Sequence, residues 1–433
     1  MANSYLNRTQ SSATSDKIGT FSAWIKLSSF SDAVFSGHTD SSNRIALYFS
    51  DTLRIYGAIG GSQSVYLITS QVFKDPSAFY HIVVAWDTTQ GTAANRFKIY
   101  VNGSQITSFS TASYPSQDAD VYWNKGTTSI VGARFVSSIT NYFDGYMSHV
   151  AFVDGQQLAP TVFGETDSTS GIWKFKAPSG VTWGNNGFHL KFENSGNLGL
   201  DSSGNSNTFT VNGNGRQSLD TPSNVYATMN ANNTTSNVTL TNGNTSVSLN
   251  GSYTTYGTIQ ITKGKFYWEQ KINGSSLFAS VADGNKGSME TVGLLNQNYA
   301  WAYRSDGNKQ TGGSATSWGN SFTTNDIIST ALDMDNGKIW WGKNGVWQES
   351  GNPATGANAA FTGLNTSSYA PDGLTPCVGQ YSGDQNTSFN FGNGYFGTTA
   401  ITSAGSNGNG SLFEYDVPSG YYALNTKNLN TYG

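Results

Sequence analysis

Ala85-Trp86-Asp87, a short excursion, and Phe97-Lys98-Ile99-Tyr100-Val101-Asn102-Gly103 form a pattern that returns later in the chain. The second copy is Ala331-Leu332-Asp333 followed by Lys338-Ile339-Trp340-Trp341-Gly342-Lys343-Asn344-Gly345-Val346. In each copy an apolar strand ends in Asp, and a second strand closes on Asn-Gly. Asn and Gly both tolerate positive φ, so Asn-Gly between apolar runs is the strongest short signal for a type I′ hairpin turn. Two such hairpins, far apart in the chain, imply two antiparallel β-sandwiches in tandem, an architecture that more often binds than catalyses.

Composition agrees. The 433 residues suffice for two or three domains, each with its own core. Aromatic residues reach 13% while charged residues are only 12%, about half the usual share. Polarity comes instead from Asn, Ser, Thr and 50 Gly, residues that favour turns over helix interiors. The expectation is an all-β chain. It is not a disordered one, since disorder goes with high charge and few aromatics. A net charge of −4 without any basic run argues against nucleic acid as a partner. No apolar run is long enough to insert into a membrane, and Met1-Ala2-Asn3-Ser4-Tyr5 lacks the start of a secretory signal. The expected route is therefore synthesis in a cytoplasm without export. The single cysteine, Cys377, reads as a core-strand residue. The sequons at Asn102, Asn237, Asn273 and Asn386 read as chance products of an Asn-, Ser- and Thr-rich chain.

Outward from the hairpins, residues 20–27 alternate, with Phe21, Ala23, Ile25 and Leu27 on one face and Ser22, Trp24 and Lys26 on the other. That is the pattern of a half-buried strand. Further strands are expected at Arg44–Phe49, Leu53–Ala58, Ser64–Thr69, Tyr80–Trp86, Ser129–Ala133 and Tyr142–Phe152, and a short helical turn near Leu158-Ala159-Pro160. In the second half they are expected at Lys265–Ile272, Thr291–Leu295, Tyr299–Arg304, Ile327–Met334, Pro376–Gln380 and Ser388–Phe391. Four segments follow: a sandwich over 1–168, a linking β-rich segment over 169–250, a second sandwich over 251–400, and a tail over 401–433 whose aromatics pack back on a domain or a neighbour. Within the link, 230–250 reads as a loop or as edge hairpins, with alternation favouring strands.

Phe21-Ser-Ala-Trp-Ile-Lys26, Tyr80-His-Ile-Val-Val-Ala-Trp-Asp87, Ile99-Tyr-Val-Asn-Gly103 and Phe143-Asp-Gly-Tyr-Met-Ser-His-Val-Ala-Phe152 resemble, in order and spacing, the laminin-G-like branch of the concanavalin-A-like lectin/glucanase superfamily. Gly264-Lys-Phe-Tyr-Trp-Glu269, Val292-Gly-Leu294, Ala331-Leu-Asp333, Lys343-Asn-Gly-Val346, Thr375-Pro376 and Phe389-Asn-Phe-Gly392 resemble the SPRY domain. With Gly171-Ile-Trp-Lys174 and Asp201-Ser-Ser-Gly-Asn-Ser-Asn207 between them, the order resembles virion proteins of tailed phages. That resemblance implies a fibre, spike or capsid decoration exposed on the virion. It also implies contacts with other virion proteins, a trimer or other symmetric oligomer, and attachment to a host surface glycan or protein. The alternatives are a polysaccharide depolymerase and a purely structural component.

No catalytic residue is named. Retaining glycosidases on this fold carry Glu-x-Asp-x-x-Glu or Glu-x-Asp-x-Glu on one strand, and two carboxylates must flank the scissile bond. The nearest cluster here, Asp333-x-Asp335, reads as turn acceptors. His38, His81, His149 and His189 have no metal spacing and read as satisfied sheet histidines. No cofactor is expected, apart from a rim calcium that the resemblance would place on Asp118, Asp120 and Asp144. The positive functional signal is aromatic. Tyr114, Tyr122, Trp123 and Tyr142 fall in or beside loops of the first sandwich, and Trp301, Trp318, Trp347 and Tyr369 in the second. Tyr122, Trp123, Tyr142, Trp301, Trp318 and Trp347 are the candidate ligand-binding residues, since aromatic faces stack on sugar rings. The alternative is that they pack on neighbouring protein.

Overall fold

In a computed structural model of the chain, which describes residues 3–286, 294–366, 368 and 370–433, both Asn-Gly pairs make the expected turn. φ is 48° at Asn102 and 80° at Gly103, and again 48° at Asn344 and 80° at Gly345. Each asparagine also ties the turn to the start of the strand paired with the one it closes. Asn102 Oδ1 accepts from the His81 amide at 2.8 Å, and Asn344 Oδ1 from the Ile327 amide at 2.8 Å. Strands make up about 44% of the structure and helices about 6%, so the protein is all-β. It divides into two units, 1–223 and 224–433. The segment 169–250 is thus shared between them.

The first unit is a sandwich of two antiparallel sheets. One runs in spatial order Phe109–Ser113, Ser62–Val72, Thr52–Ile59, Asn43–Ser50, Ala33–Asp40, Thr128–Val131, Tyr5–Thr9 and Thr210–Asn212. The other runs Phe188–Leu190, Gly145–Asp154, Ile18–Leu27, Tyr80–Asp87, Phe97–Val101 and Ser104–Gln105. Phe21, Ile25, Val84 and Ile99 of the smaller sheet meet Phe35, Leu47 and Ile55 of the larger in one core, with the Phe21 and Phe35 rings stacked at 4.5 Å. Residues 188–190 and 210–212 each add a strand, which is why the chain as far as Ser223 belongs to this unit.

Ile18–Leu27 is not half-buried, as its alternation suggested, but buried on both faces from Gly19 to Leu27. Residues beyond 155 form a further layer over its second face. Thr20 Oγ1 donates to the Gln156 carbonyl, and Lys26 Nζ sits 2.5 Å from Asp220, both side chains almost wholly buried. Phe163, Val162, Leu158 and Trp183 cover Val83, Ala151 and Val153 of the same sheet. Trp173 closes over Gly103, where a Cβ would lie 2.6 Å from its ring, and donates through Nε1 to His81 Nδ1 at 2.9 Å.

The second unit repeats the plan with other partners. One sheet runs Val238–Thr241, Ser246–Leu249, Gln385–Asn390, Lys265–Asn273, Ile327–Asp333, Lys338–Lys343 and Val346–Trp347. The first pair settles 230–250 as an edge hairpin. The facing sheet runs Thr254–Tyr256, Thr375–Gln380, Leu277–Ala282, Ala300–Arg304, Asn308–Thr311 and Ser314–Ser317. Trp268, Leu332 and Trp341 pack between them on Leu277, Val281 and Val378. Of the strand expected at Thr291–Leu295, residues 291–293 lie outside the described residues, while Leu294 and Leu295 are helical rather than extended, and buried. The tail lies on its own unit. Phe413, Val417 and Tyr421 are buried, Tyr422–Ala423 pairs parallel to Phe266–Tyr267, and Thr426–Tyr432 forms a helix. Here Tyr415 covers the turn glycine Gly345, its ring 2.7 Å from where a Cβ would be.

Candidate functional site

Alternation along adjacent strands of the larger first-unit sheet sends Ile45, Leu47, Phe49, Leu53, Ile55, Val65 and Leu67 into the core. The intervening positions form an outward face of another kind. Arg44 and Tyr48 lie on one strand, Arg54 and Tyr56 on the next, and Tyr66 on the third, all half-buried. Register sets Tyr48 opposite Arg54 and Tyr56 opposite Tyr66. Directly opposed side chains on one face of an antiparallel pair are close enough to interact. Tyr56 and Tyr66 meet edge to face at 5.6 Å, and the Arg44 guanidinium lies 5.8 Å over the Tyr56 ring. The hairpin made by Arg134–Phe135 and Ile139–Thr140 folds over the same face. Arg134 sits 4.6 Å above Tyr48, and Phe135 stacks on His38 at 3.9 Å.

The face is unbalanced in charge. Arg134 Nε donates to Asn141 Oδ1 at 3.0 Å; Arg54 donates to Thr52 Oγ1 and the Ser50 carbonyl. Among the described residues none of Arg44, Arg54 and Arg134 has a carboxylate partner. The nearby acids are engaged elsewhere, Asp51 with Lys74 and Asp40 with the Ser42 amide and Asn43. Burial lowers the pKa of His38 and opposes its protonation. Partial burial beside Tyr66 raises the Tyr48 pKa, keeping its phenol neutral.

The six residues named from sequence do not gather in one place. Trp123 is fully buried, its ring 5.1 Å from Trp86 in the first core. Trp301 is a strand residue of the second core and 7% exposed. Neither offers a face to a ligand, because Trp123 on the short helix Tyr122–Lys125 and Trp301 on the strand Ala300–Arg304 both turn their rings into the core. Trp318 stands edge-on to Tyr303 and Trp341 at 5.1 and 6.0 Å, packed against the core. Tyr122 is half-buried and donates to Asn43 Oδ1 at 3.0 Å, and Tyr142 to the Ile139 carbonyl at 3.2 Å. Tyr114 packs against the first core, and Tyr369 lies outside the described residues. Trp347 adjoins a shallow depression lined by Asn320, Ser321, Lys343, Asn344, Val346 and Gln348. Its polar groups serve one another: Lys343 binds the Ser321 carbonyl and Asp326, and Asn344 binds Asp326. The sequence did carry a signal for the outward face, the period-two series Arg44, Tyr48 and Arg54, Tyr56, but it lies within strands rather than loops.

Other candidate chemistry is absorbed by structure. Asp333 accepts from the Asn336 amide and Lys265, and Asp335 from the Gly264 amide. Asp118 pairs with Lys17, Asp120 with Lys125, and the Asp144 amide donates to Asp32. His81 is buried between Trp24 and Trp173, and desolvation lowers its pKa to about 3. His149 Nδ1 lies 3.3 Å from His189 Nε2, and burial holds both near 4. Cys377 lies beside Ser280 in a core strand, its thiol pushed up to about 12 by burial.

Comparison with known proteins follows the division into units. Residues 2–162 match the family model of the concanavalin A-like lectin/glucanases superfamily in its laminin-G form, and residues 234–394 match the SPRY domain. Among solved structures, the SPRY domain of human HERC1 is 21% identical and covers 35% of this chain and 91% of its own, with a TM-score of 0.28. Another human SPRY domain is 16% identical over 35% of this chain and 94% of its own, with a TM-score of 0.27. Stonustoxin is 16% identical over 38% of this chain and 27% of its own, with a TM-score of 0.30. No protein of curated function matches the chain.

Proposed function

From a chain that carries a concanavalin-A-like domain of laminin-G type followed by a SPRY domain, we propose a non-enzymatic adhesive protein of a tailed-phage virion that binds carbohydrate through its first sandwich. The supporting observation is the outward face. Tyr56 and Tyr66 are an adjacent pair of half-exposed rings that the sandwich core does not use, with Arg44 over Tyr56 and Tyr48 beneath Arg134 on the same face. Rings of this kind stack on the C–H faces of sugars while hydrogen-bonding groups beside them fix the hydroxyls. The virion role rests on the domain order and on the resemblance drawn from the linking segment.

A glycan array probed with the full chain tests the binding role. Reproducible sugar binding that is lost on Tyr56→Ala is expected, and no binding to any glycan would refute it. Sustained release of reducing ends from a bound polysaccharide would overturn the non-enzymatic reading. Imaging of phage particles with this protein labelled tests the location. Label on the particle surface is expected, and its absence from purified particles refutes a virion role.

A further inference from the structure

We propose that the outward face of the first sandwich takes an acidic polysaccharide, one whose carboxylates sit on the guanidiniums of Arg44 and Arg134 while its sugar rings lie along Tyr56 and Tyr66. The proposal rests on the carbohydrate-binding reading and names its ligand class.

Charge argues for an anion. Three guanidiniums share one sheet face without a carboxylate partner among the described residues, while the chain as a whole carries −4. A local surplus against the overall sign means that the face has no internal counter-ion, and an anionic ligand would supply it.

Geometry argues for a carboxylate. Arg134 is held in place twice, by Tyr48 beneath its plane and by Asn141 on Nε. Among the described residues no hydrogen bond engages its Nη1 and Nη2, and that edge is the fork that matches a planar carboxylate with two parallel hydrogen bonds. Arg44 lies over Tyr56, its guanidinium 5.8 Å from the ring centroid. A guanidinium fixed by stacking loses less side-chain freedom when it binds. Arg54, partly engaged by Thr52 and the Ser50 carbonyl, adds charge rather than a free fork.

The rings argue for a saccharide rather than a simple anion. Tyr56 and Tyr66 are adjacent across the strands, and Tyr48 opposes Arg54. An apolar row interleaved with cations suits a polymer with alternating C–H faces and charges.

Titration of the full chain with alginate, a polyuronate, with its carboxyl-reduced form, and with dextran sulfate tests the proposal. Alginate is expected to bind, to weaken at high salt, and to weaken about tenfold or more on Arg134→Met or Arg44→Met, since charge-assisted bonds of this kind exceed 1.4 kcal/mol, which is tenfold. Methionine retains the aliphatic stem, and the two variants sit on different segments, so a folding defect in one leaves the other informative. The reduced polymer is expected not to bind. Equal binding of both polymers, lost on Tyr56→Ala but not on Arg134→Met, overturns the acidic ligand and leaves carbohydrate binding standing. Dextran sulfate binding as tightly as alginate overturns the carboxylate assignment. No binding to any of the three, or to neutral glycans on an array, overturns both readings.

Discussion

Glu269 is the group on which the C-terminal tail depends, and removing it has a calculable outcome. Its carboxylate is fully buried and accepts from the Glu414 and Tyr415 amides at 2.9 Å each, from Tyr267 Oη at 2.9 Å and from Asn390 Nδ2 at 3.3 Å. In Glu269→Ala, Tyr267 keeps Ser329 and Asn390 keeps the Leu412 carbonyl. The loss therefore falls on the two tail amides, at about 1–3 kcal/mol for each donor left without a partner. The expected cost is about 2–6 kcal/mol for the two together, limited by release of residues 411–418 to solvent. Glu269→Gln retains one acceptor oxygen and should cost less. The pH dependence separates charge from hydrogen bonding. Burial raises the Glu269 pKa from 4.5 to about 7 against the pull of its four donors. The folded state then binds more protons than the unfolded state between those values. Its contribution to stability is full below 4.5 and is lost as pH rises to 7, about 2.5 pH units at about 1.4 kcal/mol each, or roughly 3.5 kcal/mol. Chemical denaturation of wild type and both variants from pH 4 to 8, with hydrogen exchange read over residues 411–418, measures this. A Glu269→Gln slope equal to that of wild type, or an Ala variant within about 1 kcal/mol of wild type, would refute the reasoning.

Breaking the buried Lys26–Asp220 pair by Asp220→Ala should cost the first unit about 3–5 kcal/mol, because the buried ammonium loses its carboxylate. The double variant Lys26→Met, Asp220→Leu should recover most of that loss in hydrogen exchange over 18–27, and failure to recover would show that the contact does more than neutralise charge. Gly103→Ala and Gly345→Ala should each cost about 1–3 kcal/mol in thermal denaturation, since φ is 80° at both and an aromatic ring fills the space a Cβ needs. A neutral effect would mean that Trp173 or Tyr415 swings aside at no cost. His81 accepts from Trp173 Nε1 on Nδ1, so its proton lies on Nε2, toward Ser22. With its folded pKa lowered from 6.5 to about 3, its contribution is full above 6.5 and falls as acid is added through that window. NMR should show a ring that does not titrate down to pH 4, and a midpoint near 6 would contradict its burial.

The architecture was legible to a large extent. Asn102-Gly103 and Asn344-Gly345 announce their turns because positive φ is a property of the residues themselves, and Phe97, Ile99 and Val101 announce a strand because alternation is local. Ala33–Asp40 was missed, since Gly37 breaks its apolar run; there the Tyr122 carbonyl would lie 2.3 Å from a Cβ. The candidate site was read less well. Trp123 and Trp301 sit beside turns, and a turn does not tell whether its aromatic points to solvent or to the core.

The two Asn-Gly hairpins mark the division clearly. The turn, its hand and the strands it joins were determined by neighbouring residues, through steric limits on φ and the two-residue period of a strand. What covers each turn was decided by the tertiary structure: Trp173 on Gly103 and Tyr415 on Gly345, each about 70 residues further along the chain. The Tyr–Arg face belongs to the same class. Arg44, Arg54, Tyr56 and Tyr66 become one surface only through the register of three strands. Register is set by core packing over the whole sheet, where a slip of one residue would turn every side chain to the other face.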